Sequence, residues 1–126
     1  MPLVHHELCF GCGRTNLFGL LLEVEEVAPG AVAGRCFIKQ DHQGPDGGRA
    51  HDGVLANALV EAMARACGVD ARAVSFEVRL EGAAPVGEFV DVQARVEAGD
   101  GQLANASATA TSGRRIVAEA RGRFRS

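Results

Sequence analysis

The sequence predicts an α+β fold in which a sheet wraps a single helix, or a second subunit covers that helix, or both. Three observations predict it. Apolar and polar residues alternate with a strand period in runs that precede and follow the middle of the chain. One stretch, 53–67, has helix-forming residues with no Gly or Pro after its first position. That stretch is apolar nearly all round, which marks a buried helix rather than one lying on a surface with one wet face.

The elements follow in order. Leu20, Leu22 and Val24 alternate with Leu21, Glu23 and Glu25, a first strand, and Pro29-Gly30 turns the chain. Val32, Cys36 and Ile38 share one face of a second strand, interrupted at Gly34. Residues 40–50 carry turn formers and no periodicity, so they form a loop. Asp52 is the expected N-cap of the helix and Gly68 its stop. Leu55, Ala58, Leu59, Ala62 and Ala66 cluster on one side of it; Ala56, Val60, Met63, Ala64 and Cys67 cover most of the other. Only Asn57, Glu61 and Arg65 make a polar stripe.

The second half reads as a meander of strands. Val74, Phe76, Val78 and Leu80 form one apolar row, and a break around Pro85 follows. Val90, Val92, Ala94 and Val96 form the next, ended by a hairpin turn at Gly99-Asp100-Gly101. Ala104, Ala106, Ala108 and Ala110 alternate with polar residues, and Ser112-Gly113 turns the chain again. Ile116, Ala118, Ala120 and Phe124 form the last row.

The bulk composition narrows the class. At 126 residues the chain is expected to be a single domain over 1–126, with a short N-terminal segment over 1–16. Hydrophobic residues at 47% and charged residues at 23% fit a soluble globular protein and exclude wholesale disorder. The formal charge of −3 offers no basic footprint for nucleic acid. Arg114, Arg115, Arg121, Arg123 and Arg125 alternate with other residues as a solvated strand face. No apolar run approaches the ~20 residues of a membrane span. The N-terminus lacks a signal-peptide pattern. Cys9, Cys12, Cys36 and Cys67 read as reduced thiols, so a cytoplasmic location is expected.

Several motifs resemble one family. Cys9-Phe10-Gly11-Cys12-Gly13 with Asn16 and Gly19-Leu20 resembles the opening segment of thioesterases related to the phenylacetate-pathway enzyme. His42-Gln43-Gly44, His51-Asp52-Gly53 with Glu61-Ala62-Met63, and Pro85-Val86-Gly87 resemble their later motifs in the same order. The resemblance spans essentially the whole chain. It implies the hotdog fold of the acyl-CoA thioesterase superfamily, a curved antiparallel sheet of about six strands wrapped around one central helix. It implies homodimers or dimers of dimers that hydrolyse small-molecule acyl-CoA thioesters between subunits. No cofactor is implied beyond the coenzyme A moiety of the substrate. It further implies a His-Gly-Gly whose backbone N–H faces the thioester carbonyl, and a helix acid that acts as base or nucleophile.

That chemistry directs attention to particular residues. Negative charge grows on the thioester oxygen, and unpaired N–H groups at a helix N-terminus suit it. Gly53 and Val54 are placed to supply them, and His51 and Asp52 stand beside them. Asp52 departs from the family's glycine, and its carboxylate competes for those N–H groups. Val60 occupies the position where the resemblance implies the catalytic acid, so Glu61 is the only acid within 53–67. Glu61 is either the catalytic acid or a structural partner of Arg65 and Asn57. His42, Gln43, Val54, Asn57 and Val60 are the candidate substrate contacts, and Asp41 and Asp46 share the loop. His5, His6, Cys9 and Cys12 contain zinc-like ingredients, but no second ligand pair follows in sequence, and no metal is expected. The alternative to a thioesterase is a non-catalytic hotdog protein that binds an acyl-CoA or another acyl or aromatic ligand. A hydratase-like enzyme finds no matching motif.

Overall fold

The alternating runs become six strands of one antiparallel sheet: β1 (Glu23–Ala28), β2 (Ala31–Phe37), β3 (Arg72–Leu80), β4 (Phe89–Gly99), β5 (Leu103–Ser112) and β6 (Arg115–Arg125). The computed structural model describes residues 3–125. The expected N-terminal segment and the domain limits reach Met1, Pro2 and Ser126, which lie outside the described residues. The strand order is β1-β2-β4-β5-β6-β3. The central helix α1 (Asp52–Cys67) connects β2 to β3 and carries the chain from one half of the sheet to its far edge.

The helix lies against one face of the sheet, chiefly over β4, β5 and β6. Leu55, Ala58, Leu59, Ala62 and Met63 enter one core with Val24, Val32, Val90, Val92 and Phe124. Each large aliphatic side chain buried this way contributes about 1.5–3 kcal/mol. The alanine row has a structural use: Ala106, Ala108 and Ala110 on β5, with Ala118 and Ala120 on β6, are buried in the same core. Such small side chains let a helix approach a sheet closely. Gly34 has a similar reason to exist. It pairs with Val24 on one side and Val92 on the other, and a Cβ there would overlap the Glu23 carbonyl.

Four expectations need correction. First, β1 starts at Glu23 rather than at Leu20. Leu20 and Leu22 share the buried face with Val24, but their amides donate to the carbonyls of Phe10 (2.7 Å) and Gly11 (2.8 Å). Leu21, at φ +52°, breaks the extended run between them. Second, the N-cap is His51, not Asp52, which is the first helical residue. Third, Val74, Phe76 and Leu80 do not join the core; they are about half exposed because β3 is an edge strand. Fourth, Val117 takes the buried place expected for Ile116. Thr111 pairs with Ile116 while Ala110 pairs with Ala118, so Val117 is the extra residue of a bulge.

The loop over 40–50 is more ordered than its composition suggested. It opens with a 3-10 turn, Gln40–His42, and makes isolated bridges between Gln43 and Ala50 and between Arg49 and Pro85. Among the described residues no helix is long and apolar enough to cross a membrane.

Candidate active site and a cysteine–histidine–glutamate cluster

The loop before α1 is held by the turn at Pro85-Val86-Gly87. Ala50 donates to Ala84, Val86 to Gly48 and Gly87 to Ile38, all at 2.8–2.9 Å. His42 is a buried part of this frame. Its Nδ1 accepts from the Lys39 amide at 3.1 Å, and its carbonyl accepts from the His51 amide at 2.7 Å. Burial, then the Lys39 charge, lowers the His42 pKa, so the ring is neutral at pH 7. Gln43 also folds the loop: its Oε1 accepts from Gly48 and its Nε2 donates to Gln40. Both residues shape the loop, and His42 alone ties it to the helix start through the His51 amide.

His51, Asp52 and Gly53 are exposed at that start. The Gly53 amide donates to His51 Nδ1 at 2.8 Å, and the Val54 amide donates to the His51 carbonyl at 2.9 Å. The two N–H groups expected to face an oxyanion are therefore engaged by His51. The Gly53 bond fixes the neutral His51 ring as the Nε2–H tautomer, with that N–H as its remaining donor. Asp52 adds a carboxylate to the first turn, at the positive end of the helix dipole. Val54 and Val60 are partly buried and pack against the core.

Glu61 stands eight residues along the helix from Gly53, about 12 Å at the helical rise. It does not pair with Arg65 or Asn57 as its structural role would require. Its carboxylate turns to the N-terminal segment. His5 Nδ1 lies 2.8 Å from Glu61 Oε2, 3.4 Å from Cys12 Sγ and 3.7 Å from Cys9 Sγ. Cys9 Sγ lies 3.8 Å from Glu61 Oε1. The four side chains put their ligand-type atoms within 4.8 Å of one another. Asn57 Oδ1 and the Nε and Nη1 of Arg65 are buried without hydrogen-bond partners among the described residues.

A tight local fold brings the two cysteines there. Gly13 donates to the Cys9 carbonyl at 2.8 Å, Cys9 donates to His6 at 3.1 Å, and the Thr15 and Asn16 side chains donate to the carbonyls of Glu7 and Leu8. A Cβ at Gly13 would overlap the backbone of Glu7 and Cys9. The His5 amide donates to Cys12 Sγ at 3.2 Å. Burial pushes the Cys12 thiol up to about 12 and lowers the His5 pKa, so both are neutral at pH 7. The sequence shows His5, Cys9 and Cys12 close together but not Glu61, which only the fold adds to the group. Glu61 lies 52 residues beyond Cys9.

No family model matches the chain, and no curated protein matches its sequence. Solved structures do. A conserved protein of Pseudomonas aeruginosa superposes with a TM-score of 0.78 at 22% identity, over 92% of this chain and 94% of that one. The PaaI protein of the phenylacetic acid degradation operon of E. coli superposes at 0.77 with 17% identity, over 84% and 79%. Zebra fish thioesterase superfamily member 2 superposes at 0.74 with 24% identity, over 82% and 80%. The six-stranded antiparallel sheet around one helix is thus the hotdog fold, in the form shared with proteins of the thioesterase superfamily.

Proposed function

We propose that the chain is a thioesterase that hydrolyses an acyl-CoA or related acyl thioester at the N-terminus of α1, in a homo-oligomer. The observation that carries this reading is the exposed Gly53 amide, held only by the His51 ring at the positive end of an otherwise buried helix. A thioester carbonyl approaching Gly53 meets no side chain on that residue, and the amide exchanges the imidazole for the growing oxyanion. The Nε2–H of His51 is a second donor for the same oxygen. Asp52, the nearest acid on the helix, takes a proton from the attacking water as its oxygen bonds to the carbonyl carbon. The carbon–sulfur bond then breaks, and the thiolate recovers that proton. Glu61 is set apart from this start by its bond to the N-terminal segment.

The oligomer reading rests on β3. Among the described residues its outer edge is unpaired, and Val74, Phe76 and Leu80 stay about half exposed along it. A second copy adding there continues the sheet and covers those side chains. A cytoplasmic setting fits the four free thiols.

One residue favours a second reading. Val60, which cannot accept a proton, occupies the place where the resemblance implies the acid, and this suits a protein that binds acyl ligands without cleaving them. Release of free thiol from a panel of straight-chain and aryl acyl-CoA esters separates the two. Turnover that falls in Asp52→Asn supports the thioesterase. Saturable binding of those esters by folded protein without thiol release replaces it with the binding reading.

A further inference from the structure

The cluster of His5, Cys9, Cys12 and Glu61 has no part in the reaction just described. We propose that these four side chains hold a zinc ion that clasps the N-terminal segment to the central helix.

The donor set suits zinc. Two sulfurs, one imidazole nitrogen and one carboxylate oxygen make four ligands, the usual number for a structural site. Zinc bond lengths place neighbouring sulfur and nitrogen ligands about 3.6 Å apart in a tetrahedron. The His5 Nδ1 distances of 3.4 Å to Cys12 Sγ and 3.7 Å to Cys9 Sγ bracket that value. The 3.8 Å from Cys9 Sγ to Glu61 Oε1 fits equally. Only the 2.8 Å contact between His5 Nδ1 and Glu61 Oε2 is tighter, and a turn of the carboxylate lengthens it.

Direct hydrogen bonding explains the cluster less well. Among the described residues, Glu61 Oε2 is buried and lacks an aligned hydrogen-bond donor despite its closeness to His5 Nδ1. Four electron-pair donors thus converge on one point. A cation there satisfies all of them together.

The surroundings are built for it. The Cys9–Gly13 turn brings both sulfurs within 3.7 Å of His5 Nδ1, and the His5 amide donates to Cys12 Sγ. Gly11 leaves the room that the Glu61 carboxylate fills. Two thiolates and a carboxylate around Zn²⁺ leave one net negative charge, and Arg65 and Arg72 lie close enough to act on His5. Binding displaces the two thiol protons to solvent and involves no redox change. With four protein ligands the ion has no open position, so its role is structural.

The test uses the full chain, purified without chelator, and reads metal rather than activity, so it stands or falls separately from the thioesterase reading. Elemental analysis is expected to find about one zinc per chain after dialysis. Cobalt added to the stripped protein is expected to give the intense visible bands of tetrahedral thiolate coordination. Cys12→Ser and Glu61→Gln should each lose most of the bound zinc, whereas Cys36→Ser and Cys67→Ser should keep it. Stripping the ion should lower Tm by roughly 10 °C. Circular dichroism establishes that each variant is folded, and Glu61→Gln, nearly isosteric, serves if a cysteine variant does not fold. Three results each overturn the proposal: wild-type protein offered zinc that retains well below one equivalent, equal zinc in wild type and folded Glu61→Gln, or a Cys9–Cys12 disulfide in protein purified under reducing conditions.

Discussion

Gly11 is packed against the carboxylate of Glu61 so closely that a Cβ at position 11 would overlap Oε1, Cδ and Cγ of that side chain. The N-terminal turn and the middle of the central helix are therefore matched surfaces.

Gly11→Ala forces the Glu61 side chain aside. The expected cost is about 1–3 kcal/mol in urea unfolding. Glu61→Ala in the same chain removes the obstacle, so the double variant should lose less than the sum of the two single ones. Simple additivity would mean that the two residues do not meet.

Gly34→Ala is expected to cost more, about 3 kcal/mol, because the obstacle is the Glu23 backbone rather than a mobile side chain. Amide exchange should localise the damage to β1 and its pairing with β2. A variant as stable as wild type would contradict the close approach of these strands.

His51 has two separable roles. His51→Ala removes the cap and should cost about 1 kcal/mol in stability. His51→Asn restores a capping oxygen and should recover most of that loss. Neither variant keeps the Nε2–H donor, so thioester turnover should fall about 100-fold or more in both. Wild-type turnover in His51→Asn would remove the ring from the mechanism.

Stability should fall as the solution is acidified below neutrality. Burial lowers the pKa of His42 in the folded chain, and the unfolded chain binds its proton first as pH drops. The contribution is complete above the unfolded histidine value near 6.5 and is lost as pH falls toward the folded one. One such group gives a slope of at most about 1.4 kcal/mol per pH unit. Urea unfolding at stepped pH should show a shallower slope in His42→Gln.

Phe76→Glu and Leu80→Lys place charges along the exposed edge of β3. Sedimentation equilibrium should show these variants as monomers where wild type is a dimer or larger. A wild-type monomer at micromolar concentration would remove the oligomer, and with it a site shared between subunits.

The parts of the fold that could be read from the sequence are those where local pattern and burial agree. The central helix is apolar on nearly all sides, and only a wrapped helix has that use for Met63, Leu59 and Ala62 together. Ala106, Ala108 and Ala110 of β5 carried a strand period and proved to lie in the core with the helix. Other features depend on distant contacts. Val74, Phe76 and Leu80 alternate just as core residues do, and nothing local distinguishes an edge strand awaiting a partner. The bulge at Val117 shifts a face by one residue without any glycine to announce it. Asp52 is the better capping residue by type, yet the His42 carbonyl fixes the His51 backbone so that its ring reaches Gly53. At the candidate site, His51, Asp52 and Gly53 were named from a motif resemblance, and the structure places them together at the helix start. The grouping of His5 with Glu61 was not legible in this way, because they meet only once α1 is seated.

That late meeting has a consequence for the newly made chain. Cys9 and Glu61 are 52 residues apart, and their contact stitches a segment that precedes the sheet to a helix made later. During synthesis the two thiols are made before their acidic neighbour. Until α1 docks, the thiols lack the carboxylate that faces them in the folded chain, so the cluster is completed only by folding.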